Sequence, residues 1–204
     1  IDELVVVVDK GPEINENVLK LLNNFKDVQI LYNKKNLGPA KTFEVAAKNS
    51  NGDYVLFCDQ DDIWYKSKVD YINKFLKNNN VDIIIHNALV LGNDKMFKEG
   101  TLIYKKPPKL IYSLIKNKII GATMVVKSSV LNHVLTKSGF FPMHDIVLII
   151  AAIKNGLNVS FIMKPLMKYR RHNMTVTGRK SFILKKIFNL IKFRLYYLKV
   201  WRNL

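Results

Sequence analysis

The chain has 204 residues, 49% of them apolar, and a single cysteine, which suits one globular domain with a full core and excludes an internal disulfide framework. Its net charge of +17 is unevenly placed: residues 1–145 carry 20 Lys/Arg against all 16 acids, and residues 146–204 carry 13 Lys/Arg and no acid. The basic block belongs to the carboxyl end and points to an anionic partner there, either lipid or nucleic acid.

Leu4–Val8 is a short unbroken apolar run, as in a strand of a parallel sheet, and it ends in the turn residues Asp9-Lys10-Gly11-Pro12. Because the chain opens almost directly into this run and lacks an initiator Met, an amino-terminal piece of the natural protein is expected upstream. Residues 14–25 place Ile14, Val18, Leu21, Leu22 and Phe25 at helical spacing. Val28–Tyr32 reads as a second strand, Asn33–Pro39 as a loop, and residues 40–49 as a helix with Ala40, Phe43, Ala46 and Ala47 on its apolar side. A turn at Asn51-Gly52-Asp53 leads to a third strand, Tyr54–Cys58, in which Cys58 reads as a small buried thiol.

A helix is expected over 66–77 and a strand over Val81–Ile85. Residues 92–109 are polar and read as an excursion. Ile119–Val126 carries Gly121-Ala122-Thr123 ahead of Met124-Val125-Val126; residues 145–154 read as a helix and Val159–Met163 as a strand. Alternating strands and helices predict an α/β fold with helices flanking a mainly parallel sheet.

Asp59-Gln60-Asp61-Asp62 stands directly after the third strand. Open α/β sheets bind ligands at the carboxyl ends of their strands. Carboxylates crowded there repel one another unless a cation lies among them, and a divalent cation with hard oxygen ligands and a diphosphate suits the cluster. His144-Asp145 opens an apolar helix, so Asp145 is either a helix cap or a general base whose pKa is raised by apolar neighbours. In Tyr169-Arg170-Arg171-His172, the imidazole is either a metal ligand or a surface residue of a basic stretch. Asn36-Leu37-Gly38-Pro39-Ala40-Lys41 stands at a strand-to-helix turn whose backbone amides are able to face an anion.

In this order the segments resemble the family-two glycosyltransferases, specifically the bacterial rhamnosyltransferase-type enzymes of surface polysaccharide synthesis. The resemblance spans residues 1 to about 178 and rests on Val6-Val7-Val8-Asp9, Asn36-Leu37-Gly38-Pro39-Ala40, and Gly52-Asp53-Tyr54 through Asp59-Gln60-Asp61-Asp62-Ile63-Trp64. It continues in Gly121-Ala122-Thr123-Met124, His144-Asp145, and Tyr169-Arg170-Arg171-His172 with Gly178. It implies the GT-A fold, a three-layer α/β/α sandwich around a Rossmann-like sheet, over residues 1–178. It also implies inverting sugar transfer from a nucleotide-sugar donor to a glycan or lipid-linked acceptor, on the cytoplasmic side of the cell. Asp9, Asn36, Gly38, Lys41, Asp59 and Asp61 would then serve the donor. Trp64, Gly121, Ala122, Thr123 and His144 would serve the acceptor. Asp145 would be the base, and Asp59, Asp61 and His172 would hold Mg²⁺ or Mn²⁺. The chain departs from the pattern in beginning where the family's second strand begins, without the Pro-x-Tyr-Asn strand that helps to bind the base.

Residues 179–204 form a separate basic segment. Within 181–204, Leu184, Ile187, Phe188, Ile191, Leu195 and Leu198 share one helical face, and Lys185, Lys192 and Lys199 recur on another. Such a helix either lies in an anionic membrane interface or packs on the catalytic domain or a second subunit. Nucleic acid is not the expected partner, since neither zinc-finger spacing nor an RNA-recognition aromatic signature is present.

Overall fold

The structure is a computed structural model; it describes residues 2–11, 14–92, 98–116, 118–140, 143–171 and 195–204. The elements run β1 (Leu4–Val8), α1 (Glu16–Leu22), β2 (Val28–Tyr32), α2 (Pro39–Lys48), β3 (Tyr54–Leu56), β4 (Ile63–Trp64), α3 (Lys68–Asn78) and β5 (Ile83–Leu91). They continue as α4 (Leu110–Lys116), a 3₁₀ turn at Gly121–Thr123, β6 (Met124–Lys127), α5 (Ser128–Lys137), α6 (His144–Lys154) and β7 (Val159–Arg170). A last helix spans 195–203.

The strands form two sheets: a parallel pair, β1–β2, and a five-stranded sheet in the order β3-β6-β5-β7-β4. The expectation of a mainly parallel sheet is corrected here. In the larger sheet only β5 and β7 run parallel, while β6 pairs antiparallel with both β3 and β5, and β4 antiparallel with β7. Strand direction depends on how each connection crosses the sheet, which residue patterning does not encode.

No ladder joins β1 to β3 among the described residues. The tie between the two sheets is Glu3, whose carboxylate accepts from the backbone N–H groups of Asn51 and Gly52 just ahead of β3. Helix α2 packs on β1 and also on α5 and α6, so it spans the split.

The main core gathers on α6. Residues 145–152 of that helix are all buried, packed between the sheet and helices α4 and α5. A helix that is apolar on every side has to be an interior one. The last helix is not a detached tail: Val200 is buried in the same core, and Tyr196, Tyr197 and Leu204 pack against it. The expected boundary at 178/179 lies outside the described residues.

β3 stops two residues earlier than expected. Phe57 turns inward and is buried, while Cys58 is exposed, which corrects its reading as a buried thiol.

Candidate active site

The acidic loop is held by β7. Asp62 donates its N–H to the Asp59 carbonyl at 3.3 Å, closing a turn, and β4 then joins β7 through the pairs Ile63–Lys168 and Trp64–Met167. Arg170 donates its backbone N–H to Asp62 Oδ1 at 2.9 Å and its Nε–H to the Asp61 carbonyl at 2.9 Å. The strand carrying the basic motif therefore fastens the loop carrying the acids, although more than a hundred residues separate them in the chain. Burial pushes the Asp59 carboxyl up to about 6, with the Asp61 charge adding to it. Burial likewise pushes Asp62 up to about 7, against the hydrogen bond from Arg170. Asp62 Oδ2 is buried with no protein partner. The loop thus gathers three carboxylates, two of which burial and mutual repulsion raise.

Asp145 is the first-turn acid of α6. Its Oδ1 accepts from the N–H of Ile146 at 2.7 Å, which is local capping, yet the group is buried and its carboxyl is pushed up to about 7. Burial is the main cause; the charge of Asp59 adds to it. Asp145 thus feels the charge of Asp59 in the acidic loop, though burial outweighs it.

Two residues near Asp145 escaped the sequence reading. Tyr104, in the polar excursion, is buried, accepts on its hydroxyl from the Ile120 N–H at 2.8 Å, and lies 3.3 Å from Thr123 Oγ1. Asp145 and Tyr104 repel in their charged forms, and burial pushes the phenol up to about 12, so it stays a neutral O–H. Asn87 anchors Tyr104: its Nδ2 donates to the Tyr104 carbonyl at 2.7 Å and its Oδ1 accepts from the Tyr104 N–H at 3.0 Å. The β5–β7 ladder slips register on both sides of Asn87, which frees its side chain for this task. A polar pair, His86-Asn87, inside an apolar run was the available signal.

The 3₁₀ turn Gly121–Thr123 is buried, and Thr123 Oγ1 donates to the Ile120 carbonyl at 2.7 Å. Ala122 and Trp64 lie in one apolar cluster with Ala88 and Met167, so the structure brings these two acceptor-side candidates together. His144 is different. It sits in an aromatic cage, its ring centroid 4.6 Å from Phe43, 4.8 Å from Phe57 and 6.0 Å from Phe140, and burial pulls its pKa down to about 4. It is a neutral core imidazole under Gly121, where it supports the Gly121–Thr123 turn from behind.

The donor-side candidates divide. The Asp9 carboxylate accepts from the N–H groups of Leu37 (2.8 Å) and Gly38 (2.8 Å) and from Asn33 Nδ2 (3.1 Å). Although burial works the other way, these bonds hold it below the ordinary carboxylate range. Asp9 therefore shapes the loop that carries Asn36 and Gly38, and Asn36 Nδ2 closes the loop by donating to the Lys10 carbonyl at 3.1 Å. Gly38 has φ of 75°, which a side chain would strain, and it leads into Pro39 at the first helical position of α2. Lys41 is turned to other work: with Lys48 it pairs with the buried Glu44, at 2.9 and 3.0 Å, on the side of α2 that meets α5 and the last helix.

His172 lies outside the described residues, as does Gly178. Among the described residues no group of three or more His, Cys, Asp or Glu side chains converges as a metal cage. What is present suits a half-site: two mutually repelling carboxylates, Asp59 and Asp61, with hard oxygen donors that a substrate diphosphate would complete.

The family model "Glycosyl transferase family 2" matches residues 2–132. An uncharacterized glycosyltransferase of Rickettsia felis is 35% identical over 92 residues, 45% of this chain and 15% of that protein. The Escherichia coli UDP-Glc:alpha-D-GlcNAc-diphosphoundecaprenol beta-1,3-glucosyltransferase WfgD is 26% identical over 199 residues, covering 93% of this chain and 73% of its own. Among solved structures, S. aureus TarS 1-349 in complex with UDP-GlcNAc superposes with a TM-score of 0.74 at 17% identity, over 97% of this chain and 57% of that one. The last likeness shows a shared fold, while the matched family model spans more than half of the chain. The chain belongs to glycosyl transferase family 2.

Proposed function

We propose that this chain transfers a hexose or N-acetylhexosamine, with inversion, from a nucleoside-diphosphate donor to a lipid-linked or polymeric acceptor in bacterial cell-surface polymer synthesis. The reading is carried by the match to glycosyl transferase family 2 together with Asp145, a buried carboxyl at the start of α6 whose pKa burial raises to about 7. The relatives support the sugar class: WfgD is by name a UDP-Glc-dependent enzyme acting on a diphosphoundecaprenol acceptor, and TarS was solved with UDP-GlcNAc. Neither name points to rhamnose, so the donor is read as a UDP-sugar.

In a single displacement, Asp145 takes the proton of the acceptor hydroxyl as that oxygen bonds to the anomeric carbon. The bond from that carbon to the diphosphate oxygen breaks, and its electron pair leaves with the diphosphate. A carboxyl whose pKa lies near 7 is matched to that proton transfer. Asp59 and Asp61, with His172, would hold Mg²⁺ or Mn²⁺, which supplies positive charge where the leaving diphosphate becomes negative. The turn from Gly121 to Thr123, together with Trp64, borders the acceptor.

The last helix presents Leu195 (63% exposed), Leu198 (59%) and Trp201 (41%) on its outer side. With the acid-free basic block of residues 146–204, this row suits the headgroup boundary of an anionic membrane on its inner, cytoplasmic face. Its inner side meanwhile packs on the core through Tyr196, Tyr197, Val200 and Leu204, which supports the packing reading for residues 195–204. No helix among the described residues is long and apolar enough to cross a membrane.

Calorimetry of UDP with the parent protein and with Asp61→Ala, each with and without Mn²⁺, tests the donor site. Mn²⁺-dependent binding in the parent that is lost in the variant is expected; unchanged binding in the variant overturns the assignment.

A further inference from the structure

We propose that Lys68 is the built-in counter-cation of the acidic loop, a positioning residue that balances the loop's carboxylates from inside the protein and sets how tightly the loop takes a divalent cation. Lys68 is 1% exposed and is the largest fully buried side chain among the described residues. It is the first residue of α3, so its ammonium sits near the positive end of a helix dipole, an unfavourable place for a cation. Neither described ion pair involves it; both belong to Glu44. A buried amine with no carboxylate in contact needs compensation from some other source.

The surroundings show that source. Lys68 Nζ stands 3.7 Å from the centroid of the Trp64 ring and donates to Met167 Sδ at 3.9 Å, so it bridges the β4–β7 pair that closes the acidic loop. Burial pulls the Lys68 pKa down to about 7, and the attraction of an ammonium to the indole face beneath it favours the charged form. Asp62 attracts it, Cys58 does so when ionised, and His86 faces it from β5 as a neutral imidazole. Among the described residues, three of the four buried side-chain polar atoms without a protein partner, Asp62 Oδ2, Trp64 Nε1 and His86 Nε2, belong to residues that interact with Lys68. The lysine is thus the centre of a polar interior directly beneath the loop.

The consequence for ligands has a definite sign. The ammonium form of Lys68, attracted by Asp62, stabilises the loop while no cation is bound, and it opposes a divalent cation that arrives. Removing the charge should loosen the empty loop and tighten cation binding. The first effect is independent of the metal reading; the second rests on it.

Two measurements separate them. The first is a thermal-unfolding cycle in EDTA with Lys68→Met, Asp62→Asn and the double variant. The double variant should lose less in Tm than the two single losses together, because each single variant strands the partner's charge; additive losses overturn the counter-cation role. The second is Mn²⁺ titration by electron paramagnetic resonance. Lys68→Met should bind Mn²⁺ on the order of threefold to tenfold tighter than the parent, and Lys68→Arg should match the parent. Parental affinity in Lys68→Met overturns the effect on cation binding. If the parent itself binds no Mn²⁺, the metal reading fails while the unfolding cycle still decides the charge balance. Lys68→Gln, which keeps a polar head without charge, replaces Lys68→Met if the latter does not fold; if neither folds, the lysine is a requirement of the fold alone and the proposal is rejected.

Discussion

Gly121→Ala is the sharpest test of how the acceptor-side turn is built. A Cβ at this position would lie 1.9 Å from His144 Nε2 and 2.5 Å from Cε1, where ordinary contact begins near 3.4 Å. About 1.5 Å of overlap must therefore be relieved. The imidazole has no room to yield, because Phe43, Phe57 and Phe140 enclose it. Overpacking of a closed core costs about 1–3 kcal/mol, and this overlap belongs at the upper end. For a domain of this size each kcal/mol lowers Tm by about 2–4 °C, so a fall of roughly 6–12 °C is expected by differential scanning calorimetry. The strain also reaches the chemistry, since displacing His144 displaces Asp145, its chain neighbour; kcat should fall more than KM rises. His144→Ala supplies the control. In that background the clash is gone, and adding Gly121→Ala should cost less than about 1 kcal/mol. A Gly121→Ala protein that melts with the parent, or an undiminished penalty in the His144→Ala background, would refute the packing argument.

Asp145→Asn should leave UDP binding intact and abolish transfer, measured by calorimetry and by release of UDP; transfer at the parental rate would reduce Asp145 to a cap. The same substitution carries a pH signature. The folded Asp145 carboxyl is raised from 3.8 to about 7, so between those values the folded state binds the proton that the unfolded state releases. Its contribution to stability is full below about pH 4 and is lost as pH rises toward 7. Asp145→Asn should therefore gain stability relative to the parent over that range, whereas parental transfer should rise as pH passes through about 7; a pH-independent stability difference would count against the raised pKa. Asn87→Leu strands the Tyr104 N–H and carbonyl in the interior, at about 1–3 kcal/mol for each unpaired group. It should destabilise the protein by roughly 2–5 kcal/mol in urea and make residues 98–109 an early site of proteolysis; a loss below 1 kcal/mol would refute the clamp.

The first third of the fold was legible because its signals are local. Leu4–Val8 and Val28–Tyr32 are bounded by turn residues, and both strands fall on the expected residues. The strand expected at Val81–Ile85 instead runs from Ile83 to Leu91, because His86 and Asn87 look like an ending yet are buried. Helix α5 was not read, since it leaves β6 with no intervening turn. Helix α4 was hidden in a lysine- and proline-rich stretch. The site was legible as motifs, and the ordered set identified the family. What side chains do with their hydrogen bonds was not legible: Asp9 is occupied by a loop, Lys41 by Glu44, and His144 by a cage of phenylalanines. Those outcomes depend on residues far away in the chain, and no local pattern reports them.

Among the described residues the two ladders make two units of unequal burial. The β5–β7 body has a dry core of its own, whereas the β1–β2 pair has no fully buried strand residue and is fastened through Glu3 and α2. The loop shaped by Asp9 belongs to the weaker unit and the acidic loop to the stronger. A nucleotide lying across both would act as a staple, because binding that requires the two units together adds its free energy to their association. Amide hydrogens of β1 and β2 would then exchange quickly in the free protein and slow markedly with UDP, while those of β5 barely change. On the proposed reading, occupancy of the donor site would stabilise the amino-terminal pair of strands.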